Sequence, residues 1–163
     1  HYDGWWQKVS PRVNEHGAII VGNKAENPLQ LSPADWDDSF LDQGTQIRNG
    51  LRRNGYWNIN VARAGNYEIE LRRWPREEDV EMTAPIAPRA DYDGEARPGV
   101  ALPIASARLK IGELDQSKPV AASDKAVKFA TKLKAGPAKL ETWFSDSAGK
   151  EISGAYYVYV ERK

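Results

Sequence analysis

The chain contains no cysteine and only two histidines among its 163 residues. Without cysteine there is no disulfide, no thiolate nucleophile and no Cys-ligated zinc, and two histidines leave little for a His-centred triad or zinc site. An excess of one charge is lacking too, because 23 Lys and Arg balance 23 Asp and Glu. Nucleic acid, which requires a strongly positive surface, is therefore not an expected partner.

Long apolar runs are also missing. No window approaches the roughly 18 uninterrupted apolar residues of a membrane-spanning helix. No basic segment followed by an apolar one suggests a signal peptide in this sequence. We therefore expect no membrane partner.

The N-terminal stretch, HYDGWWQKV, has no initiating methionine and places Tyr2, Trp6 and Val9 at helical spacing. We interpret residues 1–15 as a helical remnant and linker from a preceding domain, and residues 16–163 as one further domain. His16, at this boundary beside Gly17, is interpreted as a surface or turn histidine.

Alternation with a period of two dominates the rest of the chain and predicts about eight strands. Turn-forming stretches such as DQSKP, KAGP and DSAGKEISG separate the later strands. This pattern predicts an all-β antiparallel sandwich. The predicted strands cover residues 18–21, 28–31, 57–61, 67–71, 104–111, 126–133, 138–144 and 155–162.

The third and fourth predicted strands are expected to form a hairpin. Trp57, Ile59 and Val61 share one face of the first strand, as Tyr67, Ile69 and Leu71 do on the next. The connecting ARAGN supplies a glycine for positive φ. All six apolar side chains are predicted to lie in one core.

Residues 75–103 hold five of the ten prolines and many charges, without apolar periodicity. Such a stretch predicts one long Pro-rich loop that is either functional or disordered.

The acidic cluster ADWDDSFLD is the nearest approach to a metal site. Asp35, Asp37, Asp38 and Asp42 could gather around calcium, but the glycine and closing glutamate of an EF-hand loop are missing. A solvated turn in which an aspartate caps a short helix is the favoured interpretation. No catalytic residue, cofactor or metal ligand is predicted in this chain.

Several aromatic side chains fall on the outward faces of the predicted strands. Trp143 lies opposite Leu140 in parity, Tyr157 and Tyr159 lie opposite Val158, and Trp74 follows Arg72 on an outward face. Two covers are possible: a sugar, stacked on the rings and held by arginines, or a neighbouring protein surface. The protein surface is favoured. Arg72 and Arg73 point to opposite faces of a regular strand, so one anion cannot engage both unless a bulge re-aims one of them.

Four stretches of the chain, in order, resemble the C-terminal region of bacterial arylsulfatase-type sulfatases, among them N-acetylgalactosamine-6-sulfatase-like proteins. The LRRWP segment and the closing GAYYVYVER are the most specific parts. The resemblance covers nearly the whole chain and includes no catalytic signature. The stretches are HYDGWW, AIIVGNKAENPLQLSPADW, GYWNINVARAGNYEIELRRWPRE and LKAGPAKLETWFSDSAGKEISGAYYVYVER.

The resemblance implies a non-catalytic C-terminal domain that packs on the catalytic domain of the same parent chain and could lend residues from 75–103 to its substrate cleft. The parent would be a periplasmic or secreted bacterial sulfatase that uses calcium and a formylglycine made in a C/S-x-P-S/A-R motif, which this chain lacks. The alternative is an independent carbohydrate-binding module for sulfated glycans. The candidate substrate-binding or docking residues are Arg72, Arg73, Trp74, Trp143, Tyr157 and Tyr159.

Overall fold

The computed structural model describes residues 2–12, 17–91 and 94–163, and within them the chain is mostly β. The predicted boundary at residues 15 and 16, with His16, lies outside the described residues. The helices are α1 (Tyr2–Val9), α2 (Gly44–Arg48) and three 3₁₀ turns, Ser10–Arg12, Pro33–Asp35 and Arg76–Glu78. The strands are β1 (Ile19–Val21), β2 (Leu29–Leu31), β3 (Tyr56–Val61), β4 (Gly65–Arg72), β5 (Arg89–Asp91), β6 (Gly94–Ala96), β7 (Ser106–Ile111), β8 (Leu114–Pro119), β9 (Val127–Leu133), β10 (Gly136–Ser145), β11 (Glu151–Ser153) and β12 (Tyr157–Arg162).

Two sheets form the predicted sandwich. One has six strands in the order β1-β3-β10-β7-β8, with β11 paired to the end of β10. The other has four strands in the order β2-β12-β4-β9, and β5 and β6 form a separate two-stranded ribbon. The pairs are antiparallel except for β1 with β3, which run parallel. The all-β sandwich is thus confirmed, and all eight predicted strands are present.

The core lies between the inner faces of the two sheets, as the alternation of each strand requires. The six-stranded sheet contributes Trp57, Ile59, Leu140 and Phe144, all at most 1% exposed. Across from them, Ile69 of the four-stranded sheet is fully buried. The prediction that the apolar faces of β3 and β4 share one core is confirmed.

The predicted hairpin between β3 and β4 is wrong. β3 pairs with β1 and β10, whereas β4 pairs with β12 and β9, so the chain crosses from one sheet to the other. The connection is wider than a two-residue hairpin turn, and Gly65 at its end has φ +156°. The Tyr67 hydroxyl donates to the carbonyl of Arg63 at 2.6 Å and holds this crossover. The two apolar faces therefore meet across the sandwich.

Two stretches interpreted as turns contain strands. DQSKP lies within β8, an edge strand whose side chains beyond Leu114 are exposed. An edge strand needs backbone pairing on one side only, and exposed side chains carry no hydrophobic alternation. The stretch DSAGKEISG contains β11, which pairs with only the last residues of β10. Each of these two strands pairs with a single other strand, so its sequence shows no alternation of apolar and polar residues.

The long segment 75–103 packs against the sandwich over the part that the structure describes. Met82, Ile86 and Leu102, each at most 6% exposed, join the core, as does Ile104 just beyond the segment. The backbone N–H of Met82 donates to Asp124 O at 2.8 Å, and that of Gly99 donates to Ile86 O at 2.8 Å. Isolated apolar residues between prolines thus anchor the segment. The prediction of one long loop needs correction, because the segment also contains the 3₁₀ turn Arg76–Glu78 and the ribbon of β5 and β6.

Helix α1 differs from the rest because none of its residues is buried. Tyr2, Trp5 and Trp6 are 69%, 53% and 45% exposed. Their rings contact each other, with centroids 5.8 Å apart for Tyr2 and Trp5 and 6.1 Å apart for Trp5 and Trp6. The helix predicted from Tyr2, Trp6 and Val9 is present and carries an exposed aromatic cluster.

Truncating Ile69 to Ala should lower the free energy of unfolding by roughly 2–5 kcal/mol, because its side chain is fully buried in the core. Its strand, β4, lies between β12 and β9 in the sheet. Ile20→Ala is the matched control, since Ile20 is 54% exposed, and it should change stability by no more than about 0.5 kcal/mol. Urea unfolding measures both. Equal effects of the two substitutions would contradict the assignment of inner and outer faces.

Candidate functional site

Three of the six residues singled out in the sequence, Arg72, Tyr157 and Tyr159, lie on the outer face of the four-stranded sheet. The register of β4 and β12 sets Arg72 opposite Tyr157, and Glu70 opposite Tyr159. Arg72 Nη1 donates to Glu70 Oε1 at 2.9 Å, and both side chains are nearly buried. Outward parity therefore does not mean solvent exposure on this face.

Arg76 supplies part of the cover over this face. Its guanidinium forms two hydrogen bonds with the Glu70 carboxylate, 3.1 Å from Nε to Oε1 and 2.8 Å from Nη2 to Oε2. The same guanidinium lies 4.1 Å from the ring centroid of Tyr159, and the Arg76 backbone N–H donates to the Tyr159 hydroxyl at 3.0 Å. The start of segment 75–103 is therefore held down on the sheet by one carboxylate and one ring.

Glu70 is the acceptor at the centre of this network. Burial alone would raise the pKa of its carboxyl, but hydrogen bonds from Arg76 and Arg72 outweigh burial and lower the pKa to about 2. Lys128 adds a more distant positive charge, with Nζ 3.6 Å from Oε2. Glu70 is thus ionised across the neutral range and bonded to two arginines.

Arg73 points to the opposite side of the strand and is fully buried. It has no carboxylate partner among the described residues: Nη1 donates to Ala84 O at 3.2 Å and reaches Met82 O at 3.5 Å, while Nη2 donates to Val100 O. Desolvation lowers the pKa of its guanidinium to about 10, so the cation persists at neutral pH. Carbonyl groups from both parts of segment 75–103 thus accept the hydrogen bonds that the guanidinium would otherwise donate to water.

Trp74 completes this anchor. The Arg73 guanidinium lies 4.3 Å from the Trp74 ring centroid, and the indole N–H donates to Ala84 O at 3.2 Å. A Cβ added to Gly99 would come within 3.1 Å of the same ring, so glycine allows close packing there. The LRRWP segment therefore organises the long loop.

The expectation that this outward set would be exposed in the isolated chain needs correction. Arg72, Arg73, Trp74 and Tyr159 are at most 8% exposed, because the chain's own segment 75–103 covers them. Tyr157 and Trp143 are half-buried. The structure brings five of the six candidates together on and around the end of β4, and it places Trp143 on the other sheet.

The outer face of the six-stranded sheet is different, since its side chains remain half-exposed. Tyr56 of β3 pairs with Glu141 of β10, so Trp143 is the diagonal neighbour of Tyr56, roughly 7–8 Å away. Lys139 Nζ lies 3.7 Å from the Tyr56 ring centroid, and the Arg108 guanidinium lies 4.6 Å from that of Trp143. Each ring is thus held by a cation on one face.

A loop after the 3₁₀ turn Pro33–Asp35 forms one wall beside Tyr56. Asp37 and Tyr56 exchange backbone hydrogen bonds, 2.8 Å and 3.4 Å long. Asn58 Nδ2 donates to Asp37 Oδ2 at 2.6 Å. Asp38 adopts positive φ, 65°, and the next ring along, Phe40, is 63% exposed. In the turn itself the N-cap is Ser32, and Asp35 accepts from its backbone N–H at 3.4 Å and from its hydroxyl at 2.9 Å.

Two shallow clefts share Tyr56 and Asp38, and we call them together the Tyr56 groove. The cleft on the loop side has a volume of about 480 Å³, and the cleft on the β10 side about 290 Å³. The described lining of the groove combines four aromatic rings with carboxylates, amides and one lysine. Its lining is Trp36, Asp37, Asp38, Ser39, Phe40, Asn54, Gly55, Tyr56, Asn58, Lys139, Glu141, Trp143 and Glu151.

A third cleft, of about 380 Å³, lies at one end of the sandwich. Its floor is formed by Val61, Ile111 and Leu133, with Lys132 and Lys134 also in its lining. Among the residues that the structure describes, no aromatic side chain lines it. A ligand there would meet aliphatic side chains and backbone, without a flat ring on which to stack.

Sequence reasoning found Trp143 but missed Tyr56 and Phe40. Tyr56 shares the parity of Asn58, opposite the buried Trp57, and this signal was available in the alternation of β3. The approach of Phe40 and Asp38 to β3 depends on a bridge between residues far apart in sequence, which periodicity does not show.

The described residues contain no group of three or more His, Asp or Glu that could hold a metal ion. In the same residues, no helix is long and apolar enough to cross a membrane.

No protein-family model matches the chain, and no curated protein matches it. Solved structures that align with it include a ruminal family 26 endo-β-1,4-mannanase, at 14% identity and a TM-score of 0.45 over 85% of this chain and 26% of that one. The C-terminal family 6 carbohydrate-binding module of a laminarinase from Zobellia galactanivorans aligns at 12% identity and a TM-score of 0.40 over 83% of this chain and 100% of the module. A family 35 carbohydrate-binding module from Clostridium thermocellum aligns at 14% identity and a TM-score of 0.39, over 85% of this chain and 90% of the module.

The chain thus spans about a quarter of the mannanase and most or all of each module. None of these three structures is a sulfatase. Because the identities are 14% or less and the TM-scores 0.45 or less, the choice of a functional site in this chain rests on its own residues.

Replacing Glu70 by Gln should lower stability at pH 7 by on the order of 3 kcal/mol, because it leaves the buried Arg72 without its counter-charge. The folded-state pKa is about 2 and the ordinary value is 4.5, so the carboxylate stabilises the fold above roughly pH 5. That contribution is lost as the pH falls towards 2. Urea unfolding at several pH values should show the two proteins converging in acid.

Glu68→Gln is the matched control, because Glu68 lies on the same face of β4 but its ion pairs with Lys128 and Lys163 are partly exposed. It should cost less than about 1 kcal/mol. A stability difference between wild type and Glu70→Gln that did not change with pH would contradict the role given to the carboxylate.

Proposed function

We propose that the chain is a non-catalytic carbohydrate-binding β-sandwich whose sugar-binding surface is the Tyr56 groove. The observation that carries the proposal is the pair of half-buried rings, Tyr56 and Trp143, which are diagonal neighbours on one sheet face and are bordered by carboxylates and amides. The opposite sheet face cannot serve in the same way, since Trp74 and Tyr159 are covered by the chain itself.

The chemistry of the groove suits a sugar. A pyranose ring presents C–H groups on its faces and hydroxyls around its edge, so it needs a flat apolar surface flanked by hydrogen-bonding groups. Tyr56 and Trp143 provide the surface, and Asp37, Asn58 and Glu141 provide the flanking groups. Two neighbouring rings on one face can contact successive sugar units of a chain.

The rings are already positioned before a ligand arrives. Lys139 lies on one face of Tyr56 and Arg108 on one face of Trp143, and the cation–π contacts restrict both rings. Each cation covers one face of its ring, so a sugar would have to stack on the other face. Restricting the rings in the free protein reduces the entropy that binding must otherwise remove.

The proposal of a binding role without catalysis is supported by the residue inventory. The chain has no cysteine and only two histidines, His1 and His16. This leaves no thiolate nucleophile and little for a His-based triad or metal centre, two of the devices that hydrolases use.

Trp143→Ala and Tyr56→Ala should each weaken binding of a groove ligand by at least about tenfold, equivalent to about 1.4 kcal/mol. Titration calorimetry against β-1,4-linked hexasaccharides of glucose, mannose, galactose and xylose measures the effect. Tyr157→Ala is the matched control, a half-buried outward tyrosine on the other sheet, and it should leave the affinity unchanged within about twofold. Binding lost in Tyr157→Ala but kept in Trp143→Ala would overturn the choice of face.

A second candidate function follows from the sulfatase resemblance and the exposed aromatics of α1. In this proposal the chain is the C-terminal domain of a periplasmic or secreted sulfatase, and Tyr2, Trp5 and Trp6 are part of its contact with the catalytic domain. Exposed aromatic clusters of this kind are typical of interfaces. The docking surface would then be α1, and the covered residues Arg72, Trp74 and Tyr159 would have no part in it.

The second candidate predicts that this chain alone does not hydrolyse an aryl sulfate such as p-nitrophenyl sulfate, with or without added calcium. A parent protein that carries the formylglycine motif should hydrolyse it, and Trp5→Ser with Trp6→Ser should lower the unfolding temperature of that parent. Turnover by the purified chain, or a parent sequence without the motif, would contradict this candidate.

A further inference from the structure

We infer that the Tyr56 groove selects uncharged sugar chains and discriminates against sulfated ones. The inference rests on the proposed function, because it concerns the same site. It follows from the charges that line the groove and from the partners that its cations already have.

The lining of the groove is acidic. Four carboxylates and a single lysine line it, and the carboxylates belong to Asp37, Asp38, Glu141 and Glu151. A sulfate ester entering the groove would bring a negative charge towards these side chains. Sugar hydroxyls, in contrast, can donate hydrogen bonds to carboxylate oxygens.

The cations of this face are engaged with acids. Lys139 Nζ lies 3.2 Å from Glu141 Oε1, and Lys110 Nζ lies 3.4 Å from Glu141 Oε2. Arg108 forms two hydrogen bonds with Asp115, 2.7 Å and 2.6 Å long. The hydrogen bonds with Asp115 raise the pKa of Arg108, and they lower the pKa of Asp115 in turn. A sulfate would have to displace a carboxylate to reach either kind of cation.

Arg53 is a further cation, and it contacts the loop that contains Asp38 and Phe40. Its Nη1 donates to the carbonyl of Phe40 at 2.9 Å. It does not line the groove; it lines a separate cleft together with Arg52 and Glu151. The charged residues that line the groove itself therefore remain mostly carboxylates.

The test compares each neutral β-1,4-linked hexasaccharide with its chemically sulfated form by titration calorimetry, at 50 and 500 mM NaCl. We expect at least one neutral hexasaccharide to bind at least tenfold more tightly than its sulfated form at the lower salt. Its affinity should change less than about twofold between the two salt concentrations, because screening acts on charged ligands. Trp143→Ala should remove this binding.

Asp38→Asn should lower, by at least threefold, the ratio of the affinity for the neutral hexasaccharide to the affinity for its sulfated form. Asparagine tolerates the positive φ of Asp38, so the substitution removes charge without adding backbone strain. Asp79→Asn is the matched control, because Asp79 also has positive φ, 49°, but lies beside Lys125 outside the groove lining. It should leave the ratio unchanged.

The outcomes separate this inference from the proposed function. Sulfated chains that bind as tightly as neutral ones, with binding lost in Trp143→Ala, would overturn the inference and leave the proposed site in place. An absence of hexasaccharide binding, or binding that survives Trp143→Ala and Tyr56→Ala, would overturn both.

Discussion

A buried cation that has no carboxylate partner among the described residues organises this protein. Arg73 is fully buried, and its guanidinium is solvated by the carbonyl groups of Met82, Ala84 and Val100. Because those groups come from both ends of segment 75–103, one side chain ties a long, proline-rich stretch to the end of β4. Arg48 adds a second anchor of the same kind, donating to Ala87 O and Arg97 O, each at 3.0 Å.

The anchored segment decides which surface a ligand can reach. It places Arg76 over Glu70 and Tyr159, so the outer face of the four-stranded sheet is occupied by the chain itself. The outer face of the six-stranded sheet keeps Tyr56 and Trp143 half-exposed beside carboxylates and an amide. Segment 75–103 thus completes the core and covers one sheet face, while it leaves the face with Tyr56 and Trp143 open.

The sequence predicted those features that depend on local alternation. The buried faces of β3, β4, β10 and β12 follow from period two, and so does the outward parity of Trp143. The sequence did not reveal features that depend on distant contacts, such as the cover over Tyr159. The error over the β3–β4 hairpin has the same origin, because a turn signal shows that the chain reverses but does not show which strand it then pairs with.

The Asp37–Tyr56 bridge and the edge strand β8 also escaped sequence reasoning, for two physical reasons. The bridge joins residues through backbone hydrogen bonds alone, which leave no side-chain pattern. β8 exposes nearly all of its side chains, so its pairing with β7 places no demand on their polarity. The Tyr56 groove, built beside that bridge, could therefore be located only in three dimensions.

We propose that ligands meet Trp143 on the open sheet face, whereas Trp74 holds segment 75–103 in place. Each of the six tryptophans carries one indole N–H that nuclear magnetic resonance can follow, so a titration with a neutral hexasaccharide that binds identifies the indole that meets the ligand. The Trp143 resonance should shift progressively to saturation, while those of Trp57 and Trp74 should stay in place. A shift at Trp74 with none at Trp143 would contradict the account.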